Sequence, residues 1–184
     1  MPTNTYVALD KKTIGTAVTS VTFTGIDQTY TDLVLVISGA ASAGNPDTTI
    51  NINGETSAYL SSTILQGNGT AASSTRRTSR IDLEIDWVGM GTAQCNYIYS
   101  FLNYANTTTF KTFIGRFNGT NGTNAIVGLY SRTNAISSMT LTAVGQTYVS
   151  GTTFSLYGIK SEEAAAKATG GYVTSDANYY YHTF

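Results

Sequence analysis

Apolar residues along this chain recur at every second position far more often than at helical spacing, which predicts strands and almost no helix. The segment Ile81-Asp82-Leu83-Glu84-Ile85-Asp86-Trp87 shows the pattern most cleanly, with Ile81, Leu83, Ile85 and Trp87 on one face and Asp82, Glu84 and Asp86 on the other. It predicts a strand with one core face and one wet carboxylate face. Residues 18–23, bounded by Gly15 and Gly25, are β-branched and aromatic, and Leu33-Val34-Leu35-Val36-Ile37 is a short continuous apolar run, as in a strand buried on both faces. Residues 49–53 alternate and run into Asn53-Gly54, a dipeptide tolerant of positive φ that predicts a hairpin or tight corner. Further strands are predicted over 95–104, 109–117, 125–130, 138–144 and 152–159, with turns at 118–122 and 147–151. The stretches 38–48 and 67–78 are rich in small polar residues and are expected to be exposed loops, 67–78 the more mobile.

About nine short strands separated by Gly, Asn, Ser and Thr predict an all-β antiparallel sandwich, and a jelly roll is favoured because it carries its edge strands in two packed sheets. The pattern changes at Lys160. Ser161-Glu162-Glu163-Ala164-Ala165-Ala166-Lys167 reads as a short capped helix ended by Gly170-Gly171, and beyond it two aromatic stretches flank the turn Ser175-Asp176-Ala177-Asn178. The expected organisation is a jelly-roll domain over 1–159, a linker over 160–171 and an aromatic tail over 172–184. The tail is expected to be a hairpin or extended. A hairpin of that size is marginal alone and needs a partner.

Only 11% of the 184 residues are charged and the formal net charge is -1, so the surface is neutral and hydroxyl-rich. Nucleic acid, which calls for clustered Lys and Arg, is not an expected partner. The basic cluster Arg76, Arg77 and Arg80 is read as pairing locally with the acidic segment that follows. A single cysteine, Cys95, excludes an intrachain disulfide and a multi-thiolate zinc site, and is read as a small buried core residue. Met1-Pro2-Thr3-Asn4 has neither the basic nor the apolar region of a signal peptide, so synthesis in a cytoplasm is expected. No apolar run approaches the roughly 20 residues that span a bilayer, so membrane insertion is not expected.

Chemistry-bearing clusters are scarce. No phosphate-binding glycine motif opens a helix, and no cofactor, metal or catalytic residue is assigned. Asp82, Glu84 and Asp86 are the one carboxylate ladder; it reads as a solvated strand face, with a cation, ion-pair or glycan contact as the alternative. The 13 tyrosines are more informative, because a flat ring with a polar tip suits interfaces and sugar stacking. Tyr97, Tyr99, Tyr104, Tyr130 and Tyr157 sit in predicted strands and read as sheet packing. Tyr172, Tyr179, Tyr180, Tyr181 and Phe184 crowd a short tail and are the candidate assembly contacts.

Several motifs taken in order resemble a family of virion structural proteins from tailed bacteriophages, common in phages of aquatic bacteria. They are Val21-Thr22-Phe23-Thr24-Gly25-Ile26, Thr29-Tyr30-Thr31-Asp32-Leu33-Val34-Leu35-Val36, Asn51-Ile52-Asn53-Gly54-Glu55-Thr56, Tyr59-Leu60-Ser61-Ser62-Thr63, Asn103-Tyr104-Ala105-Asn106-Thr107-Thr108-Thr109-Phe110-Lys111-Thr112 and Thr152-Thr153-Phe154-Ser155-Leu156-Tyr157-Gly158-Ile159. The tail, Gly170-Gly171-Tyr172-Val173-Thr174-Ser175-Asp176 and Tyr181-His182-Thr183-Phe184, resembles the opening of a Gly-rich, tail-fibre-like module. The resemblance implies a virion component with no catalytic residues to carry over, and the expected role is a non-enzymatic structural protein on the virion surface, a capsid decoration (cement) or short fibre subunit. It would form a homo-oligomer, expected to be a trimer, and contact the major capsid or tail proteins. The alternatives are a tail-fibre or receptor-binding module for a host surface glycan and, least supported, a glycan-degrading enzyme.

Overall fold

A computed structural model describes residues 5–43, 47–85, 89–119, 122–160 and 171–183. Its strands are β1 (Tyr6–Thr13), β2 (Ser20–Thr24), β3 (Asp32–Gly39), β4 (Thr48–Ile52), β5 (Leu60–Asn68), β6 (Ala71–Arg80), β7 (Leu83–Glu84), β8 (Cys95–Leu102), β9 (Lys111–Gly119), β10 (Gly122–Tyr130), β11 (Ser138–Ala143), β12 (Thr153–Ile159), β13 (Tyr172–Ser175) and β14 (Tyr180–Thr183). They form an eight-stranded sheet ordered β1-β12-β3-β8-β9-β10-β5-β6, a four-stranded sheet ordered β2-β11-β4-β7, and the separate hairpin β13-β14. All pairings are antiparallel, and the two large sheets pack as a sandwich.

The connectivity identifies the kind of sandwich. When the hairpins β5-β6 and β9-β10 are set aside, the remaining strands lie as β1-β12-β3-β8 in one sheet and β2-β11-β4-β7 in the other. Successive strands alternate between sheets except at β4 and β7, which are neighbours in one sheet. This is the double Greek key of a jelly roll. The two inserted hairpins pair with each other through β10 and β5 and extend the first sheet beyond β8.

Period-two burial builds the core. Leu33, Leu35 and Ile37 of β3 and Cys95, Tyr97, Tyr99 and Phe101 of β8 face inward against Phe23, Ile50, Ile52, Met139 and Leu141 of the smaller sheet. Phe113, Phe117, Ile126, Tyr130 and Ile64 carry the buried face onto the inserted strands. Two close approaches fix this region. Tyr99 of β8 fills the space where a side chain at Gly115 of β9 would stand, and Phe113 of β9 does the same over Gly128 of β10. Either side of Gly115, Tyr97 stacks on Phe117 at 4.1 Å and Phe101 on Phe113 at 5.4 Å.

Two expectations change. The loop expected over 67–78 is mostly strand, because β5 and β6 form a hairpin turning at Gly69, whose φ is 57°. Strand β6 lacks apolar alternation because it is a sheet edge held by backbone pairing, and its Arg and Ser side chains suit an edge that must not recruit another strand. Strand β1 is a second edge, with Lys11, Lys12 and a bulge between Ala8 and Asp10. The long strand expected over 81–87 shrinks to Leu83–Glu84. Asn53-Gly54 makes the expected corner, with φ of 55° and 66°, and passes the chain from β4 to β5 in the other sheet. The helix expected over 161–167 lies outside the described residues.

Adding a methyl group at Gly128 would drive Cβ into the Phe113 ring. Gly128→Ala is therefore expected to destabilise the fold by about 3 kcal/mol, measured as a lowered urea midpoint, whereas Gly67→Ala, at an open position of β5, should cost far less.

Candidate functional site

The carboxylate ladder does not form one wet face. Glu84 is buried, with 7% of its side chain exposed, and accepts from Arg77 Nε at 2.8 Å and Nη2 at 3.3 Å. Arg77 belongs to β6, so the hairpin unread in the sequence folds over β7 and supplies the partner. Ser62 of β5 donates to the Glu84 carbonyl at 3.2 Å in the same place. Asp82 pairs with Arg80 at 3.5 Å, which bears out the local pairing expected for the basic cluster. Ile81, expected in the core, is 51% exposed. Asp86 and Trp87 lie outside the described residues. Burial, and after it the Glu84 carboxylate, raises the Asp47 carboxyl above its ordinary range, with Arg77 and Arg80 opposing. Among the described residues no group of three or more His, Cys, Asp or Glu gathers as a metal site would require.

A polar recess of about 250 Å³ opens beside the Asn53-Gly54 corner, lined by Glu55, Thr56, Tyr130, Arg132 and Asn134. Glu55 accepts from the amides of Thr56 and Ser57 at 3.2 and 3.1 Å, from Arg132 Nε at 3.3 Å and from the Tyr130 hydroxyl at 3.4 Å. Its burial acts to raise the carboxyl, but the Ser57 amide, Arg132 and the Thr56 amide outweigh it and hold Glu55 below the usual range. Arg132 also lies 3.6 Å over the Tyr59 ring. An ionised acid so occupied anchors the corner rather than moving a proton. Nearby, the fully buried Lys111 donates to the carbonyls of Thr109 and Thr133 at 2.7 and 2.8 Å and ties two loops together, while burial pushes its pKa down.

A larger concave surface lies elsewhere, on the outer face of the extended sheet. Register aligns Ile98, Arg116, Ala125 and Leu65 in one row across β8, β9, β10 and β5, with Ser100, Ile114, Val127 and Thr63 in the next. Two hollows of about 740 and 530 Å³ share Leu65, Ile98, Arg116 and Ala125 and make a continuous groove. Leu65, Ile114 and Val127 are 57%, 56% and 55% exposed within it. Sequence reasoning missed this surface. Its signal is the adjacency of apolar residues in Ile64-Leu65, Tyr97-Ile98, Phe113-Ile114 and Ile126-Val127, which places apolar side chains on both faces of a strand.

The tail forms the expected hairpin. Asp176 accepts from the amides of Asn178 and Tyr179, both at 2.8 Å, and from the Tyr181 hydroxyl at 2.7 Å. That hydroxyl, followed by the two amides, holds the Asp176 carboxyl below its ordinary range. Tyr172, Tyr179, Tyr180 and Tyr181 are exposed, Tyr172 by 74%. Phe184 lies outside the described residues. Tyr97, Tyr99, Tyr104 and Tyr130 are buried in the core, as their strand positions predict.

These features define an all-β jelly-roll sandwich with an extended sheet, an apolar outer groove and a separate, exposed aromatic hairpin. No family model and no curated protein matches the chain. Among solved structures, a crystal structure of a protein of unknown function from Shewanella oneidensis MR-1 is similar with a TM-score of 0.33 and 14% identity, over 90% of this chain and 80% of that one. Similarity at that level assigns neither fold nor function. Among the described residues no helix is long and apolar enough to cross a membrane.

Arg77→Ala would leave the Glu84 carboxylate buried without its guanidinium. A loss of about 1–3 kcal/mol is expected in chemical denaturation, with much of it recovered when Glu84→Gln is added.

Proposed function

We propose that this chain is a non-enzymatic structural component of a bacteriophage virion, exposed on the particle surface as a capsid decoration or short fibre subunit. The observation that supports this reading best is the pair of exposed apolar surfaces, the aromatic hairpin and the sheet groove, on a body otherwise held by a dense core. Isolated monomers rarely leave contiguous apolar patches bare, and subunits of assemblies keep them for their neighbours. The resemblance of the ordered motifs to those of tailed-phage virion proteins supplies the setting, and the low charge suits close packing of copies.

A second reading, recognition of a host surface glycan, is favoured by the recess at Glu55, Arg132 and Asn134, whose polar lining matches sugar hydroxyls beside the Tyr59 ring.

Quantitative mass spectrometry of washed particles tests the first reading. The chain should be retained, at a stoichiometry near that of the major capsid protein for decoration or near that of the tail proteins for a fibre; absence from particles overturns it. Glycan-array binding abolished by Arg132→Ala would instead establish the second.

A further inference from the structure

We propose that the outer groove of the extended sheet receives the C-terminal hairpin of a second copy of this chain. The proposal rests on the assembly reading above for its setting and adds to it the receiving surface and the residues that meet there.

Chemistry on the two sides is complementary. Arg116 stands at the centre of the groove and, among the described residues, is the one charged residue lining either hollow and has no ion pair. Around it are Leu65, Ile98, Ile114 and Val127. The hairpin carries one carboxylate, Asp176, bound to the Tyr181 hydroxyl at its turn. Because Thr174 pairs with Tyr181 and Tyr172 with Thr183, Tyr172 and Tyr181 share one face of the hairpin. That face therefore offers two aromatic rings beside an acid to a groove that offers aliphatic side chains around a guanidinium. Rings pack on the aliphatic rows, and the guanidinium is placed to meet Asp176 or a tyrosine face.

Dimensions agree. A four-residue strand is about 13 Å long, and four sheet strands span about 14 Å centre to centre, so the hairpin fits across β8, β9, β10 and β5. The stretch 161–170, which joins the body to the hairpin, could reach about 35 Å if extended, enough to place the hairpin on a neighbouring subunit. Hairpin and groove are different surfaces, so the contact is heterologous: it closes by reciprocal exchange between two copies or in a ring of several.

The test uses the full-length chain and two exposed-site variants, Ile114→Asp in the groove and Tyr172→Ser with Tyr181→Ser in the hairpin. Neither set touches the core, and unchanged thermal melting verifies folding. Light scattering should find the parent chain oligomeric and each variant monomeric, while mixing the two variants should give a 1:1 heterodimer, since one intact hairpin then meets one intact groove. Arg116→Glu should weaken association about tenfold or more, with recovery when Asp176→Arg is added. A monomeric parent, which would mean that the hairpin docks on its own body or on another protein, overturns the proposal. So does an oligomer whose mass neither variant changes. Retention of the chain on particles in either of those cases would leave the virion reading standing and remove only this contact.

Discussion

Tyr99 and Phe113 each occupy the place of a missing side chain on the next strand, over Gly115 and Gly128, and this interlock carries the eight-stranded sheet past the limit of the smaller one. The four-stranded sheet provides one partner layer for the core, yet the buried face continues onto β9, β10 and β5. Aromatic rings laid across neighbouring backbone cover part of that extra area. The Tyr99 hydroxyl donates to the Ile85 carbonyl at 2.8 Å, so the same ring also binds the segment that follows β7. A larger residue at either glycine would push the rings out and separate the inserted strands from the jelly roll.

The interlock has a consequence on the opposite face. A sheet broadened by two hairpins has more outer surface than its own chain covers, and the register sets Leu65, Ile114 and Val127 there beside Arg116. The charged and polar edges at β1 and β6 discourage strand addition, which leaves side-chain packing on the face as the route to association. Paired charges elsewhere are local. Arg77 neutralises Glu84, Arg132 neutralises Glu55, and neither pair projects a field that would attract a polyanion.

Much of the jelly roll was legible in the sequence, because β2, β4 and β11 alternate apolar inward with polar outward positions, β8 and β12 keep nearly all inward positions apolar, and β3 is a short continuous apolar run. The inserted hairpin β5-β6 was not. Inward positions of β5 include Ser62 and Gln66, and β6 holds nothing larger than Ala among its apolar residues, so neither shows the alternation that marks a half-buried strand. Missing that hairpin also misplaced Glu84: its spacing put it on a wet face, and only the fold of β6 brings Arg77 over it. The exposed aromatic tail was legible because three consecutive tyrosines cannot all face one side of a strand. Its counterpart groove was not, since Ile98, Arg116, Ala125 and Leu65 become neighbours through register across four strands.

Amide hydrogen exchange on the full chain tests the central claim, that the aromatic–glycine interlock makes the inserted strands part of one cooperative sheet. The amides of β9 and β10 should exchange as slowly as those of β3 and β8 and lose protection in the same step as denaturant is raised. Loss of protection in β9 and β10 in a separate, earlier step would contradict the account, because the extension would then open independently and its outer face would not be a fixed surface.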